Sequence, residues 1–190
     1  EKLGGINMDT IILMTLVVIA ILIILIIKEY NKIIKLQNKV KSSESGIDIY
    51  LNQRFDLIPN LVECVKGYAK HEKQLLENIT KQRTEYAKNQ NLKKAGELNK
   101  SLNKVIAIAE NYPELKASEQ FISLQNNLVK MESQLQAARR IYNTDVQRYN
   151  SAIQTVPSNI VAGIFGFKEK EFFQIEEYKK ENIKIDGENM

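Results

Sequence analysis

The chain holds one cysteine, one histidine and three prolines in 190 residues, and each scarcity removes a class of chemistry. A lone Cys64 leaves no intrachain disulfide, agrees with a reducing compartment, and reads as a small core hydrophobe. A lone His71, set between Lys70 and Glu72, lacks the partners an imidazole needs as metal ligand or base, and reads as a surface helix residue. Beyond Gly4-Gly5 the glycines fall singly, so no glycine-rich loop is present to cradle a phosphate. No stretch has strand periodicity, which removes the strained strand-to-helix turn that exposes a nucleophile. Glu63, Glu72, Glu77 and Glu132 are spread along helical stripes without histidines at metal-ligand spacing. No enzymatic activity, cofactor, metal or small-molecule substrate is therefore expected. Arg139-Arg140 with Tyr142 is too small a basic and aromatic cluster to predict nucleic-acid binding.

What the chain does have is Ile11 to Ile27, IILMTLVVIAILIILII, an uncharged run in which Thr15 is the one polar residue. At the helical rise it extends roughly 25 Å, enough to span a bilayer core, with Ile11, Leu16, Val18, Ile19, Leu22 and Ile27 as lipid-facing residues. A soluble core helix so uniformly apolar would need partners on every side, and the rest of the chain offers no matching surface. A cleaved signal peptide would need a small-residue cleavage site, which Lys28-Glu29-Tyr30-Asn31 does not provide.

The formal charge of +4 is spread thinly, but a basic collar of Lys28, Lys32, Lys35, Lys39 and Lys41 follows the apolar run directly. By the positive-inside rule this places the C-terminal part in the cytoplasm and the N-terminus outside, and it suits anionic headgroups. Met8 is a candidate start, which makes EKLGGIN an expression remnant; a short external tail is equally compatible. The expected division is a tail over 1–10, a transmembrane helix over 11–27, one bundle domain over 28–157, and an apolar segment with a polar tail over 158–190.

Past Ile27 the period becomes 3.6. Tyr30, Ile33, Ile34, Gln37, Val40, Glu44, Ile47, Leu51, Phe55 and Ile58 form a stripe continuous with the anchor until Pro59. A second stripe, Val62, Val65, Ala69, Glu72, Leu76, Ile79, Arg83 and Tyr86, predicts a helix to about Ala87. The polar stretch Lys88 to Gly96 reads as a loop. A shorter helix carries Leu98, Leu102, Val105, Ile106 and Ala109, with Pro113 as its stop. Ser118-Glu119 opens the longest soluble stripe, from Phe121 through Leu124, Leu128, Met131, Leu135, Ala138, Tyr142, Val146, Tyr149 and Ile153 to Val156, closed by Pro157. Its three-four spacing predicts packing against antiparallel partners, with Phe121, Leu124, Leu128, Leu135, Tyr142 and Tyr149 in the core. The expected fold is all-α: a transmembrane helix continuing into an elongated antiparallel bundle of about four helices. The aromatics of 158–173 are expected to cap the bundle or dip into the membrane interface, and the last dozen residues to fray.

Two segments resemble the LemA family. Phe55-Asp56-Leu57-Ile58-Pro59-Asn60-Leu61-Val62-Glu63 is followed by Val65-Lys66-Gly67-Tyr68-Ala69-Lys70-His71-Glu72. Tyr112-Pro113-Glu114-Leu115-Lys116-Ala117 then precedes Phe121, Leu124-Gln125, Glu132, Ala138-Arg139-Arg140, Tyr142-Asn143, Tyr149-Asn150 and Pro157. The similarity covers about Ile33 to Phe173. It implies a bacterial, membrane-anchored antiparallel helical bundle, N-terminus outside and bundle in the cytoplasm, without a known enzymatic activity. Magnetosome-associated members of the family imply a part in organising or remodelling membranes. Cys64 departs from the family pattern, which speaks against shared cysteine chemistry.

Within these motifs, Asn60, Glu63 and Glu72 lie on or beside the second stripe and Arg139, Asn143 and Asn150 beside the longest one. They are expected either to pair between helices and set register, or to stay at the surface. The bilayer and further copies of the chain are the expected partners, in a scaffold that organises membrane. The alternative is a helical module that regulates a membrane-bound protease or signalling protein.

Overall fold

A computed structural model describes residues 7–89 and 92–173. All regular structure among them is helical: α1 (Met8–Phe55), α2 (Ile58–Lys66), a 3-10 turn (Lys70–Glu72), α3 (Lys73–Asn89), α4 (Leu92–Ala109), α5 (Pro113–Lys116), α6 (Glu119–Gln154) and α7 (Ser158–Phe165). The expected fraying of the last dozen residues lies outside the described residues.

The three prolines punctuate this order. A proline ring in a helix collides with the carbonyl four residues before it. For Pro59 that residue is Phe55, where α1 stops after 48 residues; for Pro113 it is Ala109, where α4 stops. α6 ends at Gln154, one residue beyond the corresponding position for Pro157. Each proline also suits the first turn of a new helix, where its missing N–H has no partner to lose. Pro113, read as a stop, therefore also begins α5, and Pro59 lies in the first turn of α2.

Four other expectations are corrected. The helix predicted from Pro59 to Ala87 is broken: Tyr68 and Ala69 both turn back to the Val65 carbonyl, and Ala69 takes φ −100° and ψ 63°. Buried Ala69 keeps the stripe in phase across this break, which is why periodicity alone hid it. Most of Lys88 to Gly96 is helical, because its Lys, Leu and Ala are good helix formers and a solvated helix face needs no apolar stripe. Val156 lies past the end of α6 and is 78% exposed instead of closing the core stripe. Cys64 is half-buried on α2 rather than in the core.

The chain divides into two compact units, Ser42–Ile141 and Glu1–Lys41 with Tyr142–Met190. In the first, α3 packs on α2 and α4. Its core includes Ile47, Leu51 and Phe55 of α1, Leu61 and Val65 of α2, Ile79 of α3, Leu98 and Leu102 of α4, and Phe121, Leu124, Leu128 and Leu135 of α6. Phe55 meets Tyr86 edge-on at 4.9 Å between ring centres. The carbonyl of Phe55, orphaned where α1 ends, accepts from Arg83 Nε at 3.2 Å, while Arg83 Nη2 reaches Asp56 at 3.0 Å.

The core of the second unit is Ile33 and Val40 of α1, Val146, Tyr149 and Ile153 of α6, and Val161 and Ala162 of α7. Tyr30, Leu36, Tyr142 and Phe167 pack half-buried around it.

Candidate membrane-interface site

In α1 the residues Ile11, Leu16, Val18, Ile19, Leu22 and Ile27 are all exposed, and the apolar window containing them is 0% buried. The Thr15 hydroxyl donates to the Ile11 carbonyl at 2.5 Å, so the single polar side chain of the run is satisfied within the helix. Lys28, Lys32, Lys35, Lys39 and Lys41 are exposed around the exit of the run. Ion pairs tie part of this collar to the fold. Lys32 reaches Glu29 at 3.2 Å, and Lys39 reaches Oδ1 of the buried Asp145 of α6 at 3.6 Å, an oxygen that Arg148 also approaches at 3.9 Å.

Beside this exit the chain reverses. α6 gives way to the Val156–Pro157 turn and then α7, which ends on Gly166 in the left-handed conformation (φ 72°), a conformation that glycine adopts without a Cβ penalty. Phe165 and Phe167 flank this turn and both meet Tyr30, with ring centres 4.7 and 5.8 Å apart.

Residues 168–173 then run back along α6, held by a side-chain ladder. Asn150 Nδ2 donates to the Lys170 carbonyl at 2.8 Å while the Lys170 N–H donates to Asn150 Oδ1 at 2.9 Å. Asn143 does the same to Phe173, at 3.1 and 2.7 Å. Tyr149 Oη donates to the Lys168 carbonyl at 3.0 Å and Tyr142 Oη to the Glu171 carbonyl at 3.1 Å. The two asparagines sit seven residues apart on a helix, about 10.5 Å along its axis. The three-residue step from Lys170 to Phe173 covers about 10 Å of extended chain. The two spacings match, so each asparagine amide reads one residue of the strap as a neighbouring strand would. The signal was in the sequence as the repeat Tyr142-Asn143 and Tyr149-Asn150, one heptad apart. Burial pushes the Tyr149 phenol above its ordinary value.

The candidate polar residues thus part company. Asn143 and Asn150 hold the strap rather than a second helix. Asn60 and Glu63 are exposed on α2, off its buried stripe of Ile58, Leu61 and Val65, and Glu72 is half-buried in the 3-10 turn. Arg139 is half-buried on α6, where its charge adds to the burial that lowers the pKa of Arg54. The polar network of the Ser42–Ile141 unit centres on Arg54, which periodicity reasoning missed. Its guanidinium donates to Asn99 and to Glu132, and to Asn103 at 3.4 Å.

The same unit has an open groove of about 720 Å³ along α2 and α3, with Val62, Ala69 and Leu76 among the apolar lining and Lys66, Lys73 and Lys81 among the polar. Among the described residues no histidine, cysteine or aspartate lines it. Among the described residues no group of three His, Cys, Asp or Glu side chains is placed to hold a metal ion.

These features define a membrane-associated helical protein in which, among the described residues, one helix is long and apolar enough to cross a bilayer. The chain belongs to the LemA family, whose profile matches residues 43–186. It is 24% identical to Protein LemA of Metamycoplasma hominis, an alignment covering 94% of this chain and 84% of that protein. It is 22% identical to Magnetosome protein MamQ 2 of Paramagnetospirillum magneticum, over 92% of this chain and 75% of the relative.

Proposed function

We propose that this protein is a non-enzymatic, single-pass scaffold of a bacterial inner membrane, self-associating through its helical part to organise or remodel the bilayer. The observation behind this is α1 itself, one unbroken helix that carries the exposed, uncharged run Ile11 to Ile27 and whose later residues Ile33, Val40, Ile47, Leu51 and Phe55 are buried. A helix that is rigid through its exit from the bilayer couples the orientation of the soluble part to the membrane, which a scaffold needs and a flexibly tethered enzyme does not. The lysine collar favours the N-terminus outside and the bundle in the cytoplasm. The MamQ relatives, named as magnetosome proteins, agree with a role at membranes.

The groove along α2 and α3 favours a second reading, a module that docks a helix or peptide of a membrane-bound partner. Its lining joins Val62, Ala69 and Leu76 to three lysines against one glutamate, Glu77, which pairs with Lys73, and this balance suits an acidic amphipathic segment. Size-exclusion chromatography and electron microscopy of the detergent-solubilised protein separate the two. Large ordered assemblies support the scaffold, and a stable monomer supports the docking module.

A further inference from the structure

We propose that α7 is a second membrane contact, an interfacial helix whose outer face lies among the lipid headgroups and upper acyl chains beside the exit of α1. This rests on α1 being the membrane anchor.

α7, SNIVAGIF, carries no charge and is apolar on two faces. One face, Val161 and Ala162, is buried in the core with Ile33 and Tyr149. The other presents Ile160 and Ile164, one turn apart, 61% and 67% exposed, with Phe165 beside them at 52%. Exposed isoleucines on a helix whose opposite face is already buried call for an apolar cover, and for this outer face the occupant follows from position. Tyr30 lies three residues after Ile27, the last apolar residue of the run, which is about 4.5 Å along the axis. The Phe165 ring lies 4.7 Å from the Tyr30 ring, so the C-terminal end of α7 stands beside the exit of the apolar run. Aromatic residues at that depth, and lysines on both flanks (Lys28 and Lys32 before, Lys168 and Lys170 after), are what an interfacial element requires. The asparagine ladder then fixes the strap that leaves α7, so the helix is held against the membrane by α6 rather than free to withdraw.

The test uses the full chain with Cys64→Ser, reconstituted in phosphatidylcholine and phosphatidylglycerol vesicles, labelled with an environment-sensitive fluorophore at Ile164→Cys, Val18→Cys or Gln147→Cys. Gln147 is exposed on α6, more than two turns before α7. Brominated lipids are expected to quench the Val18 and Ile164 labels, the latter severalfold more than the Gln147 label. Quenching at Val18 with water-like emission at Ile164 overturns the α7 contact and leaves the anchor standing. A blue-shifted Ile164 label that bromine does not quench, and that reverts when the protein is diluted in lipid, means a second copy covers α7 and also overturns it. Equal quenching at Gln147 removes the specificity on which the proposal depends. No quenching at Val18 overturns the anchor and the α7 contact together.

Discussion

Arg54 of α1 and Glu132 of α6 form an ion pair in which the cation is the buried member, its side chain 5% exposed against 31% for the carboxylate. Burial lowers the Arg54 pKa against the opposing pull of Glu132, and the oxygens of Asn99 and Asn103 share the guanidinium. The two members should therefore respond differently to loss.

Glu132→Ala strands a buried charge and should cost about 3 kcal/mol, the low end for such a loss because two asparagine acceptors remain. Arg54→Met removes that charge and leaves Glu132 able to rehydrate, so it should cost less. Urea titrations of both variants in detergent check the order, and the reverse order would mean the pair is not organised around its cation.

Asp48 supplies a pH dependence. Burial, and then Glu44, raise its carboxyl above the ordinary 3.8, so the folded protein holds that proton more tightly than the unfolded chain. The resulting stability is full below the ordinary value and is lost as pH rises through the folded one. Asp48→Asn should raise the thermal midpoint at neutral pH and converge on the unsubstituted protein near pH ~4. A gap that stays constant with pH would exclude titration at this site.

The anchor is tested by Val18→Arg with Ile19→Arg, each charge costing roughly 2.5 to 3.5 kcal/mol near the centre of a membrane helix. The double variant should leave the membrane fraction. Unchanged fractionation would refute the span.

Within α6, Leu128 and Leu135 are buried while Lys130 and Gln134 are exposed. Alanine at either leucine should cost about 2 to 5 kcal/mol, through lost burial and the cavity left behind. Alanine at Lys130 or Gln134 should change stability by under about 0.5 kcal/mol. Thermal melts in detergent distinguish these outcomes directly.

For the strap, Asn150→Ala removes two hydrogen bonds to Lys170 and should free the chain there. Trypsin should then cut after Lys168 and Lys170 faster than in the unsubstituted protein, while the leucine core melts as before. Equal cleavage rates would show that the ladder does not hold the strap.

Local pattern decided a good deal of this protein in advance. The unbroken apolar run, the 3.6-residue stripes and the three prolines are properties of neighbouring residues, so the all-α class, the membrane-length helix and the helix ends at Phe55 and Ala109 follow from steric and solvation rules that act within a few residues. Other features depend on which distant segments meet. The break at Ala69 is invisible to periodicity because the stripe stays in phase. Residues 168–173 have no period of their own and are ordered by α6, through a heptad pair of asparagines whose spacing matches an extended strand only once the chain has turned back. Arg54 would be a surface charge by composition alone. It is buried because α4 and α6 bring Asn99, Asn103 and Glu132 to it, and a charge can leave water only where such partners are already assembled.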